Sequence, residues 1–564
     1  MDNQRVFIWA ALALVLYLNY MAWQRDYAPQ AAPVTATTQT QSATPNTPPP
    51  DTLPELPSDT ANATAPQAKA APAPGQAVET SETSAGVVRV VTDVLSIDIS
   101  KRGGDLERAD LLKYAQVKNR PDLPVRLFNP QDPRYVAQSG LRAADKRPEP
   151  NHLALYHAAA DEYRMQAGAS KLVVPLTWSE DGITVTKTYT FYPGTYRIDL
   201  SYDVVNTSSG DWKAASYVQI VRHYEHVERS YFKVETYAYR GPAISDGKGY
   251  RRLNVEKDED RTFKANIQNG WIAALQHHFV TAAVPPAPET AQFQLGLNAR
   301  NDFTLSYIGP AKVVPAGGTQ TFQEKLFVGP KLQDQLKATA PLLDHVTDYG
   351  WLTPIAQPLF WLLEKVYDLV RNWGAAIIIV TFLIKLAFYK LTAASGRSMA
   401  KMRNVAPRIK AIQERYKDDR EQLGRQMMEL YKREKINPLA GCLPILIQIP
   451  FFFAFYRVLL ESVEMRQAPF LGWINDLSSR DPFFILPLMM GAAMFAQFKL
   501  QPMPSTDPMQ AKVFQFMPVI MSVTMAWFPA GLVLYWLTNT LLTIAQQWKI
   551  NRVVEAESKK QRSS

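Results

Sequence analysis

Asn372–Arg403 reads NWGAAIIIVTFLIKLAFYKLTAASGRSMAKMR, an apolar helical run that holds one lysine and passes straight into a basic, Met-dotted segment. Gly374 to Leu391 is 18 residues, about the least that spans a ~30 Å hydrocarbon core. Lys385 lies 11 residues in, roughly 16 Å along the axis at about 1.5 Å per residue, which sets its ammonium near mid-depth. A cation at a helix centre costs about 2.5–3.5 kcal/mol on insertion scales and usually faces a bundle interior or a wet cavity. Thr381, four residues earlier, shares its face. The blander reading has Lys385 snorkel to the cytoplasmic surface, as Lys390 does.

Charge follows the same logic. The net charge is +9, and residues 390–435 hold 13 Lys/Arg against 6 Asp/Glu while residues 549–564 hold 5 against 2. These two segments together carry +10, so the remainder is close to neutral. Such clustering fits the positive-inside rule rather than direct nucleic-acid readout. The single cysteine, Cys442, excludes an intrachain disulfide and a cysteine-based metal site.

Working outward, Val6–Trp23 is an apolar N-terminal segment, read as an uncleaved anchor within residues 1–26 in preference to a signal peptide. Residues 27–85, rich in Pro, Ala, Thr, Gln and Ser, cannot bury a core and read as a disordered tether. From 86 to 345 short alternating runs such as ITVTKTYTFYPGTYRIDLSYDVV predict a large all-β sandwich. His223 with His226 and the pair His277–His278 are its only histidine clusters, and no third ligand at a defined spacing accompanies them, so no metal site is expected. Residues 346–371 form an aromatic-rich amphipathic helix, read as lying along a membrane interface, with a connector packed on the β-domain as the alternative.

The span at 372–393 is followed by a basic helical hairpin over 394–438, whose exposed charge suits anionic lipid headgroups. Further spans are read at 439–461, 483–499, 513–529 and 530–548, separated by an outer loop at 462–482 and a cytoplasmic loop at 500–512, with a basic tail over 549–564. This makes six spans, with both termini and the hairpin cytoplasmic and the β-domain outside. In the last span Tyr535, Asn539, Thr543 and Gln546 step along one face, and Gln448 and Gln497 add amides in two others. The stripe is either interhelical hydrogen bonding or, with Lys385 and Thr381, the lining of a hydrated groove. No P-loop, G-x-S-x-G or H-E-x-x-H motif is present, so neither an enzyme nor a cofactor is expected.

The stretches SMAKMR, INPLAGCLPILIQIPFFFAFY, VEMRQAPFLGWINDLS, DPFFILPLMMGAAMF, TDPMQAKVFQFMPVI and WFPAGLVLYWLTN resemble the YidC/Oxa/Alb family of membrane-protein insertases in its Gram-negative form. The resemblance implies an α-helical polytopic membrane protein: a five-helix insertase core, an extra N-terminal anchor and a periplasmic β-supersandwich. It also implies insertion and folding of inner-membrane proteins, alone or with the Sec translocon, on nascent chains delivered by ribosomes or the signal recognition pathway. By position, the family's groove charge falls on Lys385, with Thr381 and the Tyr535–Trp536 pair in its contact surface; Gln448, Gln497 and Asn539 join the candidate groove from the polar stripe read above. Met399, Lys401, Met402, Arg403 and Arg408 fall on the cytoplasmic hairpin. Better-known members carry arginine at the groove position and tyrosine where Trp536 stands; lysine keeps the charge but not the planar fork. The rivals are a solute transporter or channel using Lys385 as an anion site, and an envelope enzyme acting through the β-domain.

Overall fold

The computed structural model describes residues 53–54, 86–145, 147–228, 236, 238–416, 419–434, 443–500 and 508–563, without the side chains of 398–404, 406, 420, 443–446, 508–515, 555 and 557–563. The expected N-terminal anchor, nearly all of the tether, and Cys442 lie outside the described residues.

Alternation builds the β-domain. Ile183–Phe191 buries every second residue and pairs antiparallel with Arg197–Asn206. Two sheets result, of eleven and nine strands among the described residues. The strands Tyr135–Ala143 and Trp212–His223 are adjacent in the first sheet, and Ile183–Phe191, Arg197–Asn206 and Thr319–Pro330 are adjacent in the second. One apolar cluster joins their inner faces, from Val90, Ile97 and Ile220 on one side to Val185, Ile198 and Phe327 on the other. The sandwich read from the sequence is the fold observed.

Its interior is not wholly apolar. Lys187 occupies a core position of Ile183–Phe191 and is fully buried. Its Nζ donates to the carbonyls of Gly103 and Ser139, at 2.8 Å each, and lies 5.5–5.6 Å from the ring centres of Tyr156, Tyr189 and Tyr202. Burial pushes Asp105 up to about 7, against the pull of the nearby Lys187 cation. Asp105 Oδ2 accepts from Gln138 Nε2 at 2.9 Å. A second buried acid, Glu324, bridges the sheets, accepting from Ser216 Oγ at 2.6 Å and from the Tyr307 hydroxyl.

Burial raises Glu324 to about 7. Between the unfolded carboxyl value and about 7 the folded state keeps a proton that the unfolded chain has lost. Its contribution to stability is therefore full at acid pH and declines as pH rises through that window. At about 1.4 kcal/mol per pH unit the loss amounts to about 3 kcal/mol by pH 8. Amide exchange along Thr319–Pro330, corrected for intrinsic rates, is expected to speed up between pH 5 and 8 in the wild type. In Glu324→Gln the dependence should be clearly weaker, with the buried Asp105 left as its remaining source; an identical dependence in both proteins would remove Glu324 as a cause.

Beyond the sandwich the chain is helical: α1 (Thr353–Val370), α2 (Trp373–Ala387), α3 (Tyr389–Arg415), α4 (Arg420–Arg433), α5 (Leu443–Glu461), α6 (Ile485–Leu500), α7 (Pro508–Met525) and α8 (Ala530–Ser563). α1 buries Ala356, Leu359, Phe360 and Leu363 in the helical core and not against the β-domain, while Trp351, Trp361 and Leu369 stay exposed. This differs from a connector lying on the sandwich.

The organising stretch is not one straight helix. It turns by 63° between α2 and α3, at Phe388, whose φ of −90° and ψ of 9° leave the helical well. No proline or glycine marks the place; Phe388 packs edge-on to Phe451 at 5.0 Å instead. Among the described residues no single helix is long and apolar enough to cross a membrane, whereas the bent α2–α3 pair passes by length and composition. α6 and α2 are short, at 16 and 15 residues.

α3 runs unbroken through Pro407 and begins at Tyr389, earlier than the hairpin's sequence signals suggest. It meets α4 through Val405, Ile409 and Tyr431 and through Arg408 Nη1 to Glu434 Oε1 at 2.7 Å. The loop between α5 and α6 is held by two aspartates. Asp476 Oδ1 accepts from the amides of Gln467 and Ser478, and Asp481 from the Trp473 indole and the amides of Phe483 and Leu486. The same loop touches the β-domain: Arg466 Nη2 and Gln467 Nε2 donate to the Ala115 carbonyl, at 2.8 and 3.0 Å.

Candidate substrate groove

α2 is positioned from its first turn. The Asn372 side chain accepts from the amide of Ala375 at 2.9 Å and donates to the Phe470 carbonyl at 3.0 Å, capping the helix and tying it to the outer loop. Gly374 lets Phe470 lie directly on the helix: a Cβ there would meet the Phe470 ring at 2.1 Å. Tyr367 and Trp373 stack at 3.9 Å, joining α1 to α2.

Three turns on, Thr381 is buried and its hydroxyl donates to the Ile377 carbonyl at 2.6 Å, so it serves its own helix. Lys385 is 8% exposed and its Nζ donates to Thr543 Oγ1 on α8 at 2.8 Å. Thr543 in turn donates to the Asn539 carbonyl at 2.7 Å. No carboxylate pairs with Lys385 among the described residues; a hydroxyl is its neighbour. A bare snorkelling lysine does not fit that burial.

The polar stripe of α8 divides. Thr543 and Gln546 lie toward α2 and α3, with Gln546 Nε2 at 3.5 Å from the Tyr389 carbonyl, while Asn539 offers its carbonyl to Thr543. Tyr535 is buried in an aromatic group with Phe455, at 4.8 Å, and Phe452, while Trp536 meets Phe452 edge-on at 4.7 Å. Gln448 and Gln497 are half-buried, and among the described residues no hydrogen bond joins either to Lys385. Arg408 pairs with Glu434, as above; the side chains of Met399, Lys401, Met402 and Arg403 lie outside the described residues. Thr543 is the partner that the candidate set lacks. Its four-residue step from Asn539 was the available signal.

The bundle's outer faces are apolar. Phe516, Val519, Ile520 and Val523 on α7, Leu488 on α6, and Phe382 and Leu386 on α2 are all exposed. A contiguous apolar exterior of this kind needs a lipid or protein cover. With a buried lysine inside it and a large β-sandwich attached, it defines the class as a membrane protein bearing an extramembrane β-domain.

Residues 87–362 match the family model described as the YidC periplasmic domain, and residues 365–559 match the 60Kd inner membrane protein model. A membrane protein insertase YidC of Thioalkalivibrio sulfidiphilus is 46% identical over 99% of this chain and 100% of its own length. One of Stutzerimonas stutzeri is 44% identical over the same shares. A solved structure of an active YidC insertase aligns over 82% of this chain and 94% of its own, at 18% identity and a TM-score of 0.36. The chain belongs to the YidC family of membrane protein insertases, inner-membrane proteins with a periplasmic domain.

Proposed function

We propose that this insertase works through a groove whose working charge is Lys385, flanked by Thr381, Gln448, Gln497, Tyr535, Trp536 and Asn539. The observation that carries the reading is a buried ammonium held by a hydroxyl, Thr543 Oγ1, with no carboxylate beside it among the described residues. An uncompensated cation at membrane depth lowers the cost of bringing in the polar, acidic leading segment of a substrate. The substrate's apolar helix then partitions into lipid, which drives completion without nucleotide. The solute transporter and the envelope enzyme are set aside by the family.

In this reading the chain crosses the inner membrane six times, with a five-helix core, both termini and the α3–α4 hairpin in the cytoplasm, and the β-domain in the periplasm. The domain boundaries are those read from the sequence. The exposed Trp351, Trp361 and Leu369 lay α1 along the outer interface. The hairpin, with Met399, Lys401, Met402, Arg403 and Arg408, receives nascent membrane proteins near the groove, beside anionic lipid. Ribosomes and the signal recognition pathway deliver them, and the Sec translocon is a partner for larger substrates.

A photo-crosslinking side chain at Trp536 or Gln448 is expected to capture a ribosome-bound nascent chain of a single-spanning substrate. The same probe at Trp361, on the exposed face of α1, is expected not to capture it. Equal yields at all three positions would sink the groove.

A further inference from the structure

Where the β-domain meets the α5–α6 loop there is a cavity of about 590 Å³ that is separate from the groove. Its walls carry four basic side chains, Lys118, Arg222, Arg240 and Arg466, and one carboxylate, Asp476. The carboxylate is already spent: Oδ1 accepts from the Gln467 amide and from the amide and hydroxyl of Ser478, and Oδ2 accepts from Ser479 Oγ at 2.7 Å. The Lys118 ammonium is shut away from solvent and has no hydrogen-bond partner among the described residues. Arg222 spends one nitrogen on the Leu275 carbonyl, at 2.8 Å, and lies over the Tyr135 ring at 4.9 Å. Neither neighbour carries a formal negative charge.

Buried cations are costly unless they are paired. Here the crowding is visible in the groups themselves. Burial pushes Arg222 below its ordinary value, and the neighbouring Arg240 adds to the effect against the pull of Glu225. His277 is driven down to about 4, first by burial and then by the cations around it, Lys331, Arg240 and Arg466. It is therefore neutral and adds no charge near pH 7. The His278 Nδ1 is likewise buried without a partner.

Arg466 is already engaged with the Ala115 carbonyl, so Lys118, Arg222 and Arg240 less Asp476 leave +2 in a space large enough for a small molecule or a headgroup. A single carboxylate would offset only one of these charges. A phosphate brings three or four oxygens and up to two charges, the geometry that forked guanidiniums and a point ammonium jointly recognise. We propose that this cavity is a binding site for a phosphate group, presented by an anionic phospholipid headgroup or by a small soluble phosphate, at the junction of the β-domain and the α5–α6 loop.

The test uses the full-length chain in zwitterionic detergent and two probes. One arm titrates inorganic phosphate at constant ionic strength and reads thermal unfolding. The other reconstitutes the protein in nanodiscs of phosphatidylglycerol or phosphatidylcholine and counts retained lipid by native mass spectrometry. Saturable stabilisation by phosphate assigns a soluble ligand, and selective retention of phosphatidylglycerol assigns a headgroup; either supports the site. In both arms Lys118→Gln/Arg240→Gln is expected to weaken binding by about tenfold or more, as loss of two charge-assisted contacts requires. If the double variant does not fold, Lys118→Met decides, because Lys118 lies in a partly exposed turn. No saturable binding in either arm, or binding unchanged in the variants, overturns the proposal.

Discussion

Cells depleted of their own insertase and supplied with Lys385→Glu will fail to insert a small substrate whose translocated segment is acidic. Lys385→Arg should support near-normal insertion and Lys385→Ala an intermediate level. The ordering follows from charge alone. Among the described residues Lys385 reaches Thr543 Oγ1 and no acid, so arginine preserves the charge that the proposed groove needs, while glutamate places a second anion beside the incoming one. Replacing attraction by repulsion at partly desolvated depth is worth at least ~1.4 kcal/mol, or about tenfold in yield. Protease accessibility of the translocated segment is the readout. Substrates without acidic residues in that segment should be spared by Lys385→Glu. If all four proteins insert equally well, the electrostatic account is lost.

The largest effect on folding is expected from Lys187→Met in the sandwich. The change leaves Asp105 buried opposite an apolar side chain, and breaking a buried pair from one side typically costs about 3–5 kcal/mol. Burial already holds Asp105 up near 7 and draws Lys187 down to about 7, each opposed by the other's charge. Without Lys187 the Asp105 carboxyl rises further, so the protein escapes part of the penalty by keeping it protonated. The deficit should therefore be smaller at pH 5 and grow toward pH 8. Urea midpoints for protease resistance of the β-domain in the full chain would show it. Lys187→Met/Asp105→Leu, which removes both partners, should recover much of the loss. A single variant costing less than about 1 kcal/mol at pH 8 would mean that Asp105 has another partner.

The sandwich was readable because its strands alternate: ITVTKTYTF buries Ile183, Val185, Lys187, Tyr189 and Phe191 on one face. That same pattern put a lysine among core positions, though nothing in the spacing named Asp105, 82 residues earlier, as its countercharge. In the helical part Lys385 and the α8 stripe were both legible from helical spacing, and their meeting through Thr543 followed from facing helices. The bend at Phe388 was not. It arises from tertiary contact, edge-on to Phe451 of α5, within an apolar run that carries no helix-breaking residue. The junction cavity was equally hidden, since residues 118, 222, 240 and 466 converge only once both sheets and the α5–α6 loop are in place.

In the membrane placement proposed above, where α2 alone crosses the hydrocarbon, the bend has an electrical consequence. α2 ends after 15 residues, so it offers only about 22 Å of axial length at ~1.5 Å per residue. A bilayer drawn in to match it is roughly a quarter thinner than a ~30 Å hydrocarbon core. The full membrane voltage then falls over that shorter distance, and the local field beside Lys385 is steeper by about a third. Each acidic residue crossing toward the positive, outer side gains about 2.3 kcal/mol per 100 mV. A thinned patch does not enlarge that total, but it concentrates the pull over fewer ångströms, near the cation that first receives the anion. On the groove proposed above, the membrane voltage and the Lys385 cation would then act on an acidic segment over the same few ångströms.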